Sequence, residues 1–154
     1  MNLKKLKNYH KQAKVVAEQS PDSQTQVGAL LIHSKTGAVL GSGFNGFIRK
    51  GPDRLLPKTR PEKYQYIIHA ETNLLYNCAR HGISTDGCFI YCTLSPCVNC
   101  LRAIYQSGIV KVYFKEPYSD FEKNIQMKDL HILVKEIGEG EDKFYDITLK
   151  PRTL

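Results

Sequence analysis

The sequence predicts an α/β fold in three layers, α/β/α, with helices on both faces of a central mixed sheet of about five strands. Helical periodicity and short apolar runs alternate in the order helix, hairpin, helix, strand, helix, strand. Strands separated by helices generally pair in parallel, whereas the short turn Ser34-Lys35-Thr36-Gly37 forces an antiparallel pair. Length agrees: 154 residues with 42% hydrophobic content fit one domain, 1–154, with a proper core.

Residues 3–19 place Leu3, Leu6, Tyr9, Ala13, Val16 and Ala17 at spacings near three and four, the pattern of an amphipathic helix lying on the domain. Lys4, Lys5, Lys7, Lys11 and Lys14 then read as its solvated face rather than as a nucleic-acid site. Ser20-Pro21-Asp22-Ser23 stops the helix. Residues 27–33 and 38–41 are short apolar strands flanking the turn, and together they make a hairpin. Gly41-Ser42-Gly43-Phe44-Asn45-Gly46 is too rich in glycine for a regular element and suits a backbone that approaches a ligand closely.

Residues 47–65 hold Pro52, Pro57 and Pro61 with mixed charge and no periodicity, which points to a functional or mobile loop. From His69 a helix is expected, with Leu74, Leu75 and Cys78 on one side and Gly82 at its C-cap. Residues 88–93 form a buried strand. Ser95 and Pro96 open a second helix, as N-cap and first helical residue, running to about Gln106. Residues 110–114 are another strand, with 116–120 as a loop off its end. Residues 121–130 read as a helix, 131–137 as a strand or the helix's continuation, and 144–149 as a strand after the acidic loop 138–142.

Composition narrows the function classes. No apolar run approaches membrane-spanning length, and residues 1–7 lack the apolar core and cleavage site of a secretory signal, so a cytoplasmic protein with no membrane partner is expected. Cys78, Cys88, Cys92, Cys97 and Cys100 make an odd count, and in a reducing compartment they serve as ligands or buried thiols rather than disulfides. The net charge of +7 suits an anionic partner, which charge alone does not resolve among nucleotide, RNA and DNA.

The chemistry concentrates between His69 and Cys100. His69 with the C-x-x-C of Cys97 and Cys100 is a three-ligand set for Zn2+ that leaves one tetrahedral position for water, and Glu71 stands two residues from the histidine, suited to moving protons for that water. Cys97 and Cys100, three apart, share a helix face, and two helix starts would meet around the ion. A closed structural site of Cys88, Cys92, Cys97 and Cys100 is the alternative. It fits poorly, because Cys88 and Cys92 fall inside an apparent strand and read as small buried hydrophobes.

H-x-E followed by P-C-x-x-C is the signature of zinc deaminases. Residues 20–120 resemble the deoxycytidylate (dCMP) deaminase family within the zinc-dependent cytidine/deoxycytidylate deaminase superfamily. The resemblance lies in Thr25-Gln26-Val27-Gly28-Ala29, in the loop 41–46, in His69-Ala70-Glu71-Thr72-Asn73, in the run from Tyr91 to Cys100, and in Gly108-Ile109-Val110-Lys111-Val112. It implies hydrolysis of dCMP to dUMP and ammonia, supplying dUMP for dTMP synthesis, with Glu71 catalytic and zinc on His69, Cys97 and Cys100. It also implies Asn45 at the sugar or base, Thr25 and Gln26 near the phosphate, Ala70 and Ser95 in the substrate wall, and Tyr118 closing the pocket by stacking with Asp120 beside it. Finally, it implies a homo-oligomer, a hexamer, activated by dCTP and inhibited by dTTP, with the regulatory nucleotide and Mg2+ held at Gly43, Phe44, Gly46 and Arg80.

Three departures stand out: Phe44 replaces the family's usual tyrosine, Ile48 stands where proline is common, and Leu74-Leu75 replaces Ala-Ile. Two rival functions share parts of this pattern. A nucleic-acid deaminase of the tRNA adenosine type carries the same two motifs, but Asn73 and the Gly-Phe-Asn-Gly loop favour a free nucleotide with no nucleic-acid partner. A non-catalytic, zinc-stabilised nucleotide-binding domain would not need the intact Glu71.

Overall fold

A computed structural model describes residues 1–150. Helix α1 (Leu3–Ala17) is followed by strands β1 (Gly28–Ile32) and β2 (Val39–Phe44), helix α2 (Ala70–His81), β3 (Phe89–Leu94), α3 (Val98–Gln106), β4 (Lys111–Glu116), the short α4 (Phe121–Asn124), β5 (Ile132–Ile137) and β6 (Phe144–Leu149). The strands form one mixed sheet in the order β2-β1-β3-β4-β6-β5, so the described residues hold six strands where about five were expected. The sixth is the segment 132–137, whose apolar pattern left strand and helix open. It pairs antiparallel with β6.

Strand alternation builds the layers. Leu30 and Ile32 of β1, Tyr91 of β3, Tyr113 of β4 and Phe144 of β6 pack with Leu6, Tyr9 and Ala13 of α1 in one core. Ala29, Leu31, Ile90, Cys92, Val112, Phe114 and Ile147 pack with Leu74 and Cys78 of α2 and Leu101 and Ile104 of α3 in the other. Every residue of β1 is buried, as a strand covered on both faces must be. The five lysines of α1 are all exposed, so its polar face is solvated. β3 and β4 are parallel and joined through α3, while β1 pairs antiparallel with both β2 and β3.

Three local expectations are corrected. The glycine-rich run is not a loop: Gly41 to Phe44 belong to β2, with Gly43 opposite Ala29 and Phe44 opposite Gly28. The close neighbour that demands glycine there is helix α2, since a Cβ on Gly43 would lie 2.5 Å from Leu74 N and 2.6 Å from Ala70 O. Ser95 is not a helix cap. Its N–H donates to Glu116 O at 2.8 Å, so the chain is still extended there, and α3 starts only after Cys97, its N-cap residue. Residues 121–130 do not make one helix, because Phe121 and Leu130 both enter the same core and nine residues of unbroken helix would set them on opposite sides. The helix stops after Asn124, and the chain turns down into β5.

The irregular segment 47–65 contains two short 3-10 turns, Asp53–Leu55 and Glu62–Gln65, and ends in a bridge between Gly46 and Ile68 that delivers the chain to His69. Gly82, at φ 65°, closes α2 in the left-handed conformation expected of it. Because Gly43 is where β2 and α2 meet backbone to backbone, Gly43→Ala should lower stability by about 1–3 kcal/mol, read as a fall of several degrees in Tm by thermal denaturation.

Candidate metal and active site

Two helix starts converge beyond the end of β3. His69 is the N-cap residue of α2 and Cys97 that of α3, and Cys100 lies in the first turn of α3. Among the described residues, His69, Cys97 and Cys100 form the one group of three or more candidate metal ligands, with their donor atoms all within 4.8 Å of one another. His69 Nδ1 is 3.5 Å from Cys97 Sγ and 3.3 Å from Cys100 Sγ. Nitrogen and sulfur on one tetrahedral zinc would stand about 3.6 Å apart, given the usual bond lengths. The donor set therefore fits Zn2+.

The two thiols are coupled to one another. A hydrogen bond from Cys100 lowers the Cys97 thiol to about 4, against its burial and with His69 as a further partner. Cys100 is correspondingly pushed up, by donating that hydrogen bond and by burial. Only a positive charge between them would let both ionise. The four-cysteine alternative does not assemble, because Cys88 Sγ donates to Ser84 O instead and the group of candidate ligands leaves out both Cys88 and Cys92. Cys92 lies fully buried on β3 against Glu71, and Cys78 is core.

Glu71 occupies the first turn of α2 and is 4% exposed. Burial raises its carboxyl above the ordinary range, against the pull of its own backbone N–H and of His69. A carboxyl moved up in this way is better matched to taking and returning a proton near neutral pH.

His69, Glu71 and Cys97 open onto a cavity of about 280 Å³. Of the residues singled out from the sequence, Thr25, Asn45, His69, Ala70, Glu71, Ser95, Cys97 and Tyr118 line it. Gln26 and Asp120 do not: Gln26 Nε2 donates to Ser20 O at 3.0 Å, and Asp120 is exposed ahead of α4. Ser95 Oγ accepts from the N–H of Tyr118 at 2.7 Å, which fixes the loop carrying that ring. Asn45 is largely engaged within the protein. Its Oδ1 accepts from Val27 N at 2.8 Å and its Nδ2 donates to Thr25 O at 2.8 Å and to Asp22 Oδ2 at 3.4 Å.

Sequence reasoning missed Asp22, Arg60, Lys63, Tyr64 and Ile67 on the same wall. For Arg60, Lys63 and Tyr64 the signal was the length and irregularity of 47–65, which marked the segment but not its residues; Asp22, in the helix stop, and Ile67 carried no such signal. A second cavity, of about 470 Å³, is lined by Phe44, Gly46 and Arg80 together with Arg49, Asn73, Tyr76 and Asn77. Gly43 is not on its wall and instead packs on α2.

A family model described as the cytidine and deoxycytidylate deaminase zinc-binding region matches residues 3–116. The chain belongs to that family. It is 35% identical over 114 residues to the deoxycytidylate deaminase of Mus musculus, a match that covers 70% of this chain and 62% of the mouse protein. The human deoxycytidylate deaminase is 34% identical, with the same coverage. The chain thus spans about three-fifths of the length of these curated relatives. The crystal structure of dCMP deaminase from cyanophage S-TIM5 in complex with dCMP and dUMP is similar, at a TM-score of 0.64 and 31% identity, covering 78% of this chain and 88% of that one. Its apo form gives a TM-score of 0.66 at 30% identity, covering 82% and 94%.

Zinc content tests the ligand set directly. The purified wild type should carry about one zinc per chain by atomic absorption, His69→Ala, Cys97→Ala and Cys100→Ala should each lose most of it, and Cys92→Ala should keep it.

Proposed function

We propose that this protein hydrolyses dCMP to dUMP and ammonia, in the cytoplasm, as a zinc-dependent deaminase that supplies dUMP for dTMP synthesis. The observation that carries the reading is a buried carboxyl, Glu71, lining the same cavity as His69 and Cys97, which cluster with Cys100. A zinc ion on those three residues would supply a Lewis acid that brings the pKa of a water down to about 7. Glu71 takes a proton from the attacking water and delivers it to the ring nitrogen beside the amino-bearing carbon. Once the water oxygen has bonded to that carbon, Glu71 takes the second proton from the new hydroxyl, which becomes the carbonyl, and passes it to the amine as the carbon–nitrogen bond breaks and ammonia leaves. A carboxylate that serves as base and then acid in this way must stay off the metal.

The rest of the cavity wall orients the base. Backbone carbonyls at Leu94 and Ser95 accept from the amino group. Asn45 shapes the wall through its bonds to Val27 and Thr25 and keeps one Oδ1 lone pair for a sugar hydroxyl. Tyr118 stacks over the mouth. The second cavity takes a regulatory nucleotide: its Arg49 and Arg80 suit phosphates with Mg2+, and Phe44 suits a base or sugar face. dCTP activates there and dTTP inhibits, and the enzyme works as a homo-oligomer, a hexamer.

The test is ammonia release from dCMP, dCTP, deoxycytidine and a tRNA anticodon stem, measured side by side. dCMP should be the best substrate, its rate at low concentration raised by dCTP with Mg2+ and lowered by dTTP. Glu71→Ala should cut turnover by roughly 100-fold or more while zinc content stays near wild type. A zinc-loaded wild type that releases no ammonia from dCMP contradicts the reading.

A further inference from the structure

One wall of the smaller cavity is made by two irregular segments, 20–26 and 58–64, laced together by side-chain hydrogen bonds. Ser23 Oγ donates to Lys58 O at 2.9 Å, Arg60 N donates to Gln24 Oε1 at 2.9 Å, and the Arg60 guanidinium donates to Thr25 Oγ1 at 2.8 Å. At the centre of this clasp lies a buried ion pair. Lys63 Nζ donates to both oxygens of Asp22, at 3.0 and 2.8 Å, and each side chain is only 3% exposed. Asp22 also accepts from the N–H groups of Gln24 and Thr25, at 2.8 and 3.0 Å.

The pair decides which cation on this wall can meet an anion. Arg60 and Lys63 are the two lysine or arginine residues lining the cavity. The charge of Lys63 is spent on Asp22, and drawing it away would strand a buried carboxylate, a change that typically costs several kcal/mol. Arg60 stands differently. It is exposed, its Thr25 partner is a neutral hydroxyl, and among the described residues no carboxylate forms an ion pair with it. A guanidinium has five N–H donors in a planar fork that matches two oxygens of a phosphate, and most of that fork is uncommitted here. Its place at the exposed edge of the wall also lets a phosphate dianion stay partly hydrated while the base reaches Glu71.

We propose that Arg60, beside the Thr25 hydroxyl, contacts the 5′-phosphate and is the specificity-determining residue that separates a nucleoside monophosphate from the bare nucleoside. This rests on the reading of the site as a dCMP deaminase. The clasp explains how a loop residue can do it: Gln24 holds the Arg60 backbone, and the Asp22–Lys63 pair anchors the loop beneath it, so the guanidinium is held in place before substrate arrives.

Steady-state kinetics on the zinc-loaded full chain test this, with dCMP and deoxycytidine as the two substrates and wild type, Arg60→Gln and Arg60→Lys as the proteins. Because the side chain is exposed, neither substitution removes core packing. Arg60→Gln should raise KM for dCMP roughly 10- to 100-fold with kcat within about twofold, leave kcat/KM for deoxycytidine unchanged, and be partly rescued in Arg60→Lys. A dCMP KM within about threefold of wild type, or an equal loss for both substrates, overturns the assignment of Arg60. A wild type that does not turn over dCMP at all overturns the proposed function first, so the two failures are distinct.

Discussion

Everything at the site depends on two helix N-termini being brought to one point. His69 ends an irregular segment and begins α2; Cys97 ends the turn after β3 and begins α3. Neither could hold an ion alone, and their donor atoms sit within 4.8 Å of one another because the sheet sets both helices on one face. The contact that fixes α2 is unusually close, with the helix backbone lying on Gly43 of β2. The contact that fixes α3 is the parallel pairing of β3 with β4, carried past Leu94 by the bond from Ser95 to Glu116. The site lies beyond the carboxyl ends of these parallel strands, where α/β folds commonly leave room for a ligand.

The same convergence sets the electrostatics. Of two hydrogen-bonded thiols one ionises at the expense of the other, and the positive ends of two helices favour the anionic forms that a metal would take. Glu71, in the first turn of α2, is buried where its charge is disfavoured unless a positive centre lies near. The two thiols and the carboxyl would thus be served by one positive centre. Around them, the polar wall is built from irregular chain, and it is tied together where its buried carboxylate, Asp22, is met by Lys63 and by the N–H groups of Gln24 and Thr25. Burial would push the Asp22 carboxyl up, yet these partners outweigh it and hold it below the ordinary value.

Much of this was legible in the sequence, for physical reasons. α1 carries a clean period-3.6 pattern and β1 is a short unbroken apolar run, buried along its whole length, so both could be placed from apolar spacing. The clustering of His69, Cys97 and Cys100 followed from residue types that have few other uses at that spacing. The glycine run at 41–46 was harder to read, since glycine marks any close approach and nothing local distinguishes a helix backbone from a ligand. Ser95-Pro96 carried a strong helix-start signal, and it was overridden by a strand that continues one residue further through tertiary pairing. Residues 121–130 have helical composition, but two core anchors nine apart break the helix. The Asp22–Lys63 pair was invisible because its partners are far apart in sequence and the loop between them has no period to read.

Zinc-edge X-ray absorption on the metal-loaded protein reads the ligand shell itself. Two sulfur ligands at about 2.3 Å are expected, with one imidazole nitrogen and one further light atom at about 2.0–2.1 Å. A shell of four sulfurs, or four protein ligands that leave no place for water, would contradict that expectation.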